Sequence, residues 1–220
     1  QFVSCCSLRV TEIEHCAGYA NTDSTSAQNR ILIITHITKI FFILFFQKCE
    51  YYYVWAEKVG VGRMVSNLYI AKMESGNQLK TVQVLLTTPD YDWERKGFWV
   101  NEGPAVIHHN GKLFLTYSAS ETGVDYCVGM LSIDEDADLL DPRLWKKERY
   151  PVLKTCEKLG IYGPGHNSFT VDENGNDIMV YHARTETEII GDPLYNPNRH
   201  AMLMKVKWDD AGRPVFSYEN

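Results

Sequence analysis

From Glu50 onward, apolar and aromatic residues fall in short runs separated by turn residues, with no competing helical spacing. The runs are Tyr51 to Ala56, Asn67 to Met73, Val82 to Leu86, Ala105 to His109, Lys112 to Ser118, Tyr126 to Ile133, Ser168 to Val171, Ile178 to Ala183 and Ala201 to Trp208. Runs of this length, rich in aromatic and β-branched residues and bounded by turn formers, predict strands. Asn110-Gly111 and Asn174-Gly175 place residues tolerant of positive φ between runs, the chemistry a type I′ hairpin needs. The predicted architecture is therefore all-β and built of antiparallel hairpins. Spacing alone does not choose among a sandwich, a barrel and a propeller.

Residues 1–49 read differently and form an atypical segment upstream of the β region at 50–220. A Ser/Thr/Asn-rich stretch from Tyr19 to Asn29 runs into the apolar stretch Ile31 to Phe46, which Thr35, His36, Thr38 and Lys39 interrupt. A spanning helix wants about 20 mainly apolar residues, so this shorter, charge-bearing run argues against one. It also lies too far from residue 1, and lacks the small-residue cleavage site, for a secretory signal. Its Phe and β-branched content suits a buried strand pair or an interfacial segment better.

The charge balance narrows the function classes. With 22 Lys and Arg against 28 Asp and Glu the net charge is −6, and no basic block occurs. The electrostatic footprint of a nucleic-acid binder is missing. Of the six cysteines, Cys5, Cys6, Cys16 and Cys49 lie in the first fifty residues, and Cys127 and Cys156 in the remainder. No spacing dictates a pairing or makes a zinc site, and unpaired thiols are the simplest expectation. The 13 Tyr and 5 Trp suit strands and sugar-contacting surfaces alike.

Local motifs make the choice among the β architectures. Pro89-Asp90-Tyr91-Asp92-Trp93-Glu94-Arg95, then Val100-Asn101-Glu102-Gly103-Pro104, then Phe114-Leu115-Thr116-Tyr117-Ser118-Ala119-Ser120 occur in that order. Tyr162-Gly163-Pro164-Gly165-His166-Asn167-Ser168-Phe169 and Tyr181-His182-Ala183-Arg184 follow. Together with Tyr52 to Trp55 and Asn67 to Met73, this series resembles glycoside hydrolase family 43, in its arabinofuranosidase-like branch, over about residues 50–217. The resemblance implies an incomplete five-bladed β-propeller of roughly two and a half to three blades. It also implies hydrolysis of arabinose- or xylose-containing oligo- or polysaccharide with inversion, and a secreted protein.

The resemblance carries candidate roles with it. Glycoside hydrolysis needs a carboxylic acid to protonate the leaving oxygen and a carboxylate acting from the opposite face of the sugar. Glu102, placed just before a strand, is the implied acid. His166, in a glycine-proline turn, is implied to look toward the propeller axis and help hold a metal ion or its water shell, with Ca2+ the expected ion. Calcium prefers oxygen, so an imidazole would contribute to such a site without being its core. Arg184 is the implied sugar-binding guanidinium, with a surface ion pair as the plainer reading, and Trp55 is either a sugar platform or a buried blade residue. His108 and His109 are neighbours on one strand, point to opposite faces and are structural. The base and the Asp that tunes the acid belong upstream of the Tyr51 strand and are not found. Phe45-Phe46-Gln47-Lys48-Cys49-Glu50 stands where the tuning Asp is expected. A lone acid predicts little activity for this chain by itself. The alternative expectation is a lectin-like remnant that binds carbohydrate without cleaving it.

Overall fold

A computed structural model describes residues 42–59 and 65–218. Fourteen strands are found there: β1 (Phe42–Gln47), β2 (Glu50–Val59), β3 (Val65–Ser75), β4 (Gln78–Leu79), β5 (Val84–Thr87), β6 (Trp99–His109), β7 (Lys112–Ala119), β8 (Cys127–Asp134), β9 (Lys146–Lys147), β10 (Tyr162–Val171), β11 (Asp177–Arg184), β12 (His200–Lys205), β13 (Lys207–Trp208) and β14 (Pro214–Val215). The described residues hold no α-helix, only three 3-10 turns, and no helix long and apolar enough to cross a membrane.

The strands form three antiparallel blades of an incomplete β-propeller. The first runs β1-β2-β3-β5 and the second β6-β7-β8-β9, joined by two parallel bridges from Val65 and Ser66 to Trp99 and Val100. The third is β10-β11-β12. Phe42–Gln47, from the segment that the sequence sets apart, pairs residue by residue with β2. The apolar run's earlier part, Ile31 to Phe41, lies outside the described residues.

Alternation along the middle blade explains the stacking. On β7, Leu113, Leu115, Tyr117 and Ala119 point one way, meeting Tyr52, Val54, Leu68 and Ile70 of the first blade. Phe114 points the other way, meeting Met179, Tyr181, Ala183 and Met204 of the third, together with Val128 and Met130 of β8. The middle blade is thus buried on both faces, which is why its runs read as nearly continuous apolar sequence. On the second face, Thr116 and Ser118 replace apolar residues where β7 meets β10.

Two turn expectations resolve differently. Asn110 and Gly111 both have positive φ, 48° and 72°, and close the β6–β7 hairpin as expected. In the second, only Gly175 is positive at 76°, and the Asp172 carboxylate accepts the Asn174 and Asn176 backbone N–H groups. That acceptor side chain stabilises a longer turn than the dipeptide alone suggests. Among the cysteines, Cys127 and Cys156 are free, whereas Cys49 is disulfide-bonded, which corrects the expectation of unpaired thiols at that position.

Candidate active site

Glu102 lies within β6, not ahead of it, because the strand begins at Trp99. It pairs with Ser118 on β7, and the register then slips before Ala105. Gly103 takes φ +56° in this bulge, a conformation that a side chain with a Cβ resists, and its Cα faces the His166 ring. Such a bulge re-aims the side chain beside it. On one side of the strand, Asn101 is buried and clamped. Its Nδ2 donates to Glu94 Oε1 at 3.0 Å, and its backbone oxygen accepts from Ser66 Oγ at 3.1 Å. Glu102, the next residue, points to the opposite side, toward the third blade.

Glu94 itself is 0% exposed and fully satisfied. Its Oε2 accepts from the Asp90 and Tyr91 backbone N–H groups at 2.7 and 2.8 Å and from Lys147 Nζ at 2.9 Å, and its Oε1 also accepts from Tyr117 Oη at 2.9 Å. Sequence reasoning assigned Glu94 no role. The available signal was an acidic residue three positions after Tyr91 at the start of a helical turn, where it can reach back to free N–H groups.

Around Glu102 the second and third blades bring several groups together. Tyr126, just before β8, donates its hydroxyl to Glu102 Oε1 at 2.7 Å. Its ring stacks on His182 of β11, centroids 5.6 Å apart and planes 2° apart, and His182 in turn lies 6.3 Å from His166 of β10. Burial pushes the Glu102 carboxyl above its ordinary value, against the opposing pull of the Tyr126 hydrogen bond and the Arg199 charge. Among the described residues, no carboxylate acts on it. Burial, and then Arg199, pushes His166 down to about 4. The same two causes, with His166 and Arg184 adding to them, take His182 down to about 3. Both imidazoles are therefore neutral near pH 7.

The four residues that the sequence singles out separate here. Glu102 and His166 share the site, His166 sitting in a doubly bulged β10 with φ 49° rather than in a free turn. Arg184 does not present its fork to a ligand. It is 1% exposed, with Nη1 on Asn196 Oδ1 at 2.7 Å and Nη2 on the Pro193 carbonyl at 2.7 Å. This arginine anchors the 185–199 loop, because a buried guanidinium must spend its donors on whatever acceptors surround it. Trp55 is 6% exposed, stacked between Tyr53 and Tyr69 at 5.1 and 5.9 Å. Its ring faces are taken up inside the first blade. Arg199, which sequence reasoning missed, ends the loop that Arg184 holds and bears electrostatically on Glu102, Tyr126, His166 and His182 together. Nothing in its Asn-Arg-His context marks it in the sequence. His108 bonds Glu135 at 2.9 Å and His109 stacks on Trp208 at 3.8 Å, on opposite faces.

Calcium takes six to eight oxygen ligands. Among the described residues, no three His, Cys, Asp or Glu side chains gather at one point. Two neutral imidazoles beside one carboxyl group do not by themselves fit that ion.

Comparison with known proteins places this geometry. A family model for glycosyl hydrolases family 43 matches residues 42–214. An extracellular exo-alpha-(1->5)-L-arabinofuranosidase of Streptomyces avermitilis is 50% identical over 163 residues, 74% of this chain and 34% of that protein. Alpha-L-arabinofuranosidase 43 of Humicola insolens is 44% identical over 167 residues, 75% of this chain and 35% of that protein. The chain thus spans about a third of the length of these curated relatives. The crystal structure of an alpha-L-arabinofuranosidase from Lactobacillus brevis superposes with a TM-score of 0.77 at 50% identity, covering 81% of this chain and 57% of that one.

Proposed function

Since the chain belongs to glycosyl hydrolases family 43, we propose that Glu102 is the proton donor of an arabinofuranosidase-like glycosidase, inverting and acting on arabinose- or xylose-containing polysaccharide. The observation that carries this reading is a half-buried carboxyl group whose pKa burial raises and whose one oxygen Tyr126 holds. A carboxylic acid whose protonated form burial favours is what a leaving alkoxide needs. The names of the Streptomyces and Humicola relatives support arabinofuranose as the sugar. The names of the Streptomyces relatives, which call them extracellular, support secretion.

Arg199 takes the sugar-facing role first expected of Arg184. It is the cation nearest in effect to Glu102, and the donors left beside its Nη2 bond to the Leu194 carbonyl, at 2.9 Å, suit sugar hydroxyls. Arg184 acts through the loop that presents Arg199. An axial Ca2+ would draw its oxygen donors from beyond the described residues, with His166 adding an imidazole to its water shell. The opposing base would come from outside the described residues too.

A second reading, carbohydrate binding without cleavage, is favoured because no carboxylate among the described residues acts on Glu102. Titrating arabino-oligosaccharides by calorimetry while assaying released sugar separates the two, because heat without release selects binding alone. For the first reading, Glu102→Gln in the full-length protein should cut turnover of an aryl arabinofuranoside by at least about a hundredfold. An unchanged rate removes Glu102 from the acid role.

A further inference from the structure

We propose that Tyr126 is a positioning residue that decides which oxygen of the Glu102 carboxyl group carries the catalytic proton. The proposal rests on the reading of Glu102 as the acid, and begins from the hydrogen bond that the buried Tyr126 hydroxyl gives to Glu102 Oε1. The His166 backbone N–H can only donate, and it donates to Ser118 Oγ at 2.6 Å. The Ser118 hydroxyl, fully buried and accepting there, has its own proton to give, and it favours the ionised form of the neighbouring Tyr126 phenol as a donor to the phenol oxygen does. The phenol's own proton is then left for Glu102 Oε1, at 2.7 Å. An oxygen that accepts this bond is the carbonyl-like oxygen of a protonated carboxyl group. The acidic proton therefore sits on Oε2.

The phenol cannot drift from this post. Tyr126 is 1% exposed, and its ring presses on the backbone of Gly165, where a Cβ would come within 2.2 Å of Tyr126 Cε1. On its other contact the ring lies parallel to His182. Without this clamp, a half-turn of the Glu102 carboxyl group would exchange the two oxygens and aim the proton away from the substrate. Neither neighbouring imidazole competes for the proton, since burial leaves His166 of β10 and His182 of β11 weak bases, at about 4 and about 3, and Arg199 before β12 can only donate.

In the reaction the Oε2 proton passes to the glycosidic oxygen while the electron pair of the breaking anomeric C–O bond goes to that same oxygen. Water adds to the anomeric carbon from the opposite face and yields its proton to a carboxylate base beyond the described residues. Tyr126 keeps its own proton throughout, because burial and the Glu102 charge hold the phenol well above its ordinary value. Its bond to Oε1 persists and stabilises the carboxylate left behind.

The test uses Tyr126→Phe and Ser118→Ala, each checked for folding by circular dichroism and thermal melting. The Glu102 carboxyl carbon, identified by the signal lost in Glu102→Gln, is titrated by 13C NMR in this chain. A donated hydrogen bond favours the charged form, so its loss should raise the midpoint in Tyr126→Phe, and in Ser118→Ala by less. An unmoved or lowered midpoint in Tyr126→Phe overturns the proposal, and if that variant does not fold, the same outcomes in Ser118→Ala decide. In the full-length protein, Tyr126→Phe should lose about tenfold in kcat on an alkyl arabinofuranoside. A substrate whose leaving group needs no protonation should be spared, and equal losses on both overturn the positioning role. Unchanged hydrolysis in Glu102→Gln overturns the acid assignment itself, which is a separate failure from a titration that does not move.

Discussion

Lowering the pH from 7 to 5 should destabilise this fold through two imidazoles. In an unfolded chain a histidine titrates near 6.5, so at pH 5 nearly every one is protonated. In the folded chain His166 and His182 titrate at about 4 and about 3, so both are still neutral there. The unfolded state then binds about two protons more than the native state, and stability falls as the pH falls through that window. For one ring with these values the loss between pH 7 and pH 5 is about 2 kcal/mol. It depends little on how far below 5 the native value lies. Both rings are partly exposed, and solvent screening trims the figure to about 1–2 kcal/mol each. Glu102 opposes the trend, since its raised value means that acidification favours the folded form, but it does so equally in every variant compared. The carboxylates with lowered values, Asp134, Asp141, Asp172, Asp209 and Glu50, lose their contribution only below the window. Urea melts followed by tryptophan fluorescence at the two pH values measure the difference. His166→Asn, chosen because asparagine tolerates the φ of 49°, and His182→Gln should each shrink it by about half. A difference that stays the same in both variants refutes the reasoning.

Two further outcomes follow from buried charge. Glu94→Gln should lower unfolding stability by about 3 kcal/mol in urea, because it leaves Lys147 partly unpaired, and adding Lys147→Met should restore part of the loss; a Glu94→Gln chain as stable as the parent contradicts the hub's role. Arg184→Met should speed cleavage by a glutamyl endopeptidase at Glu186 or Glu188 by about tenfold, since the loop loses its bonds to Pro193 and Asn196; an unaltered cleavage rate rules out the anchor.

The strands were legible because period-2 alternation and turn residues are local signals. The predicted Lys112 to Ser118 and Ile178 to Ala183 differ from β7 and β11 by a residue or two at their ends. The runs beginning at Ala105 and Ser168 were read short, since β6 and β10 carry bulges at Gly103-Pro104 and through Gly163–His166 that look like turns in sequence. Those bulges hold Glu102 and His166, so the irregular grammar marked the site while hiding that it lies inside strands. Arg184 and Arg199 could not be told apart in advance. Arg184 spends its donors on Asn196 and the Pro193 carbonyl, which reach it only when residues 185–199 fold back, and no local pattern encodes that return. Glu94 was hidden for a similar reason, its partner Lys147 lying 53 positions away.

The pleat of β7 divides labour between odd and even residues. Leu113, Leu115, Tyr117 and Ala119 cement one blade to the next, while Thr116 and Ser118, facing the other way, tether Asn167 and His166. The hydroxyl-bearing residues could therefore be exchanged with the masonry between blades untouched, whereas inserting a single amino acid into this strand would turn the mortar toward β10 and the hydroxyls into the grease.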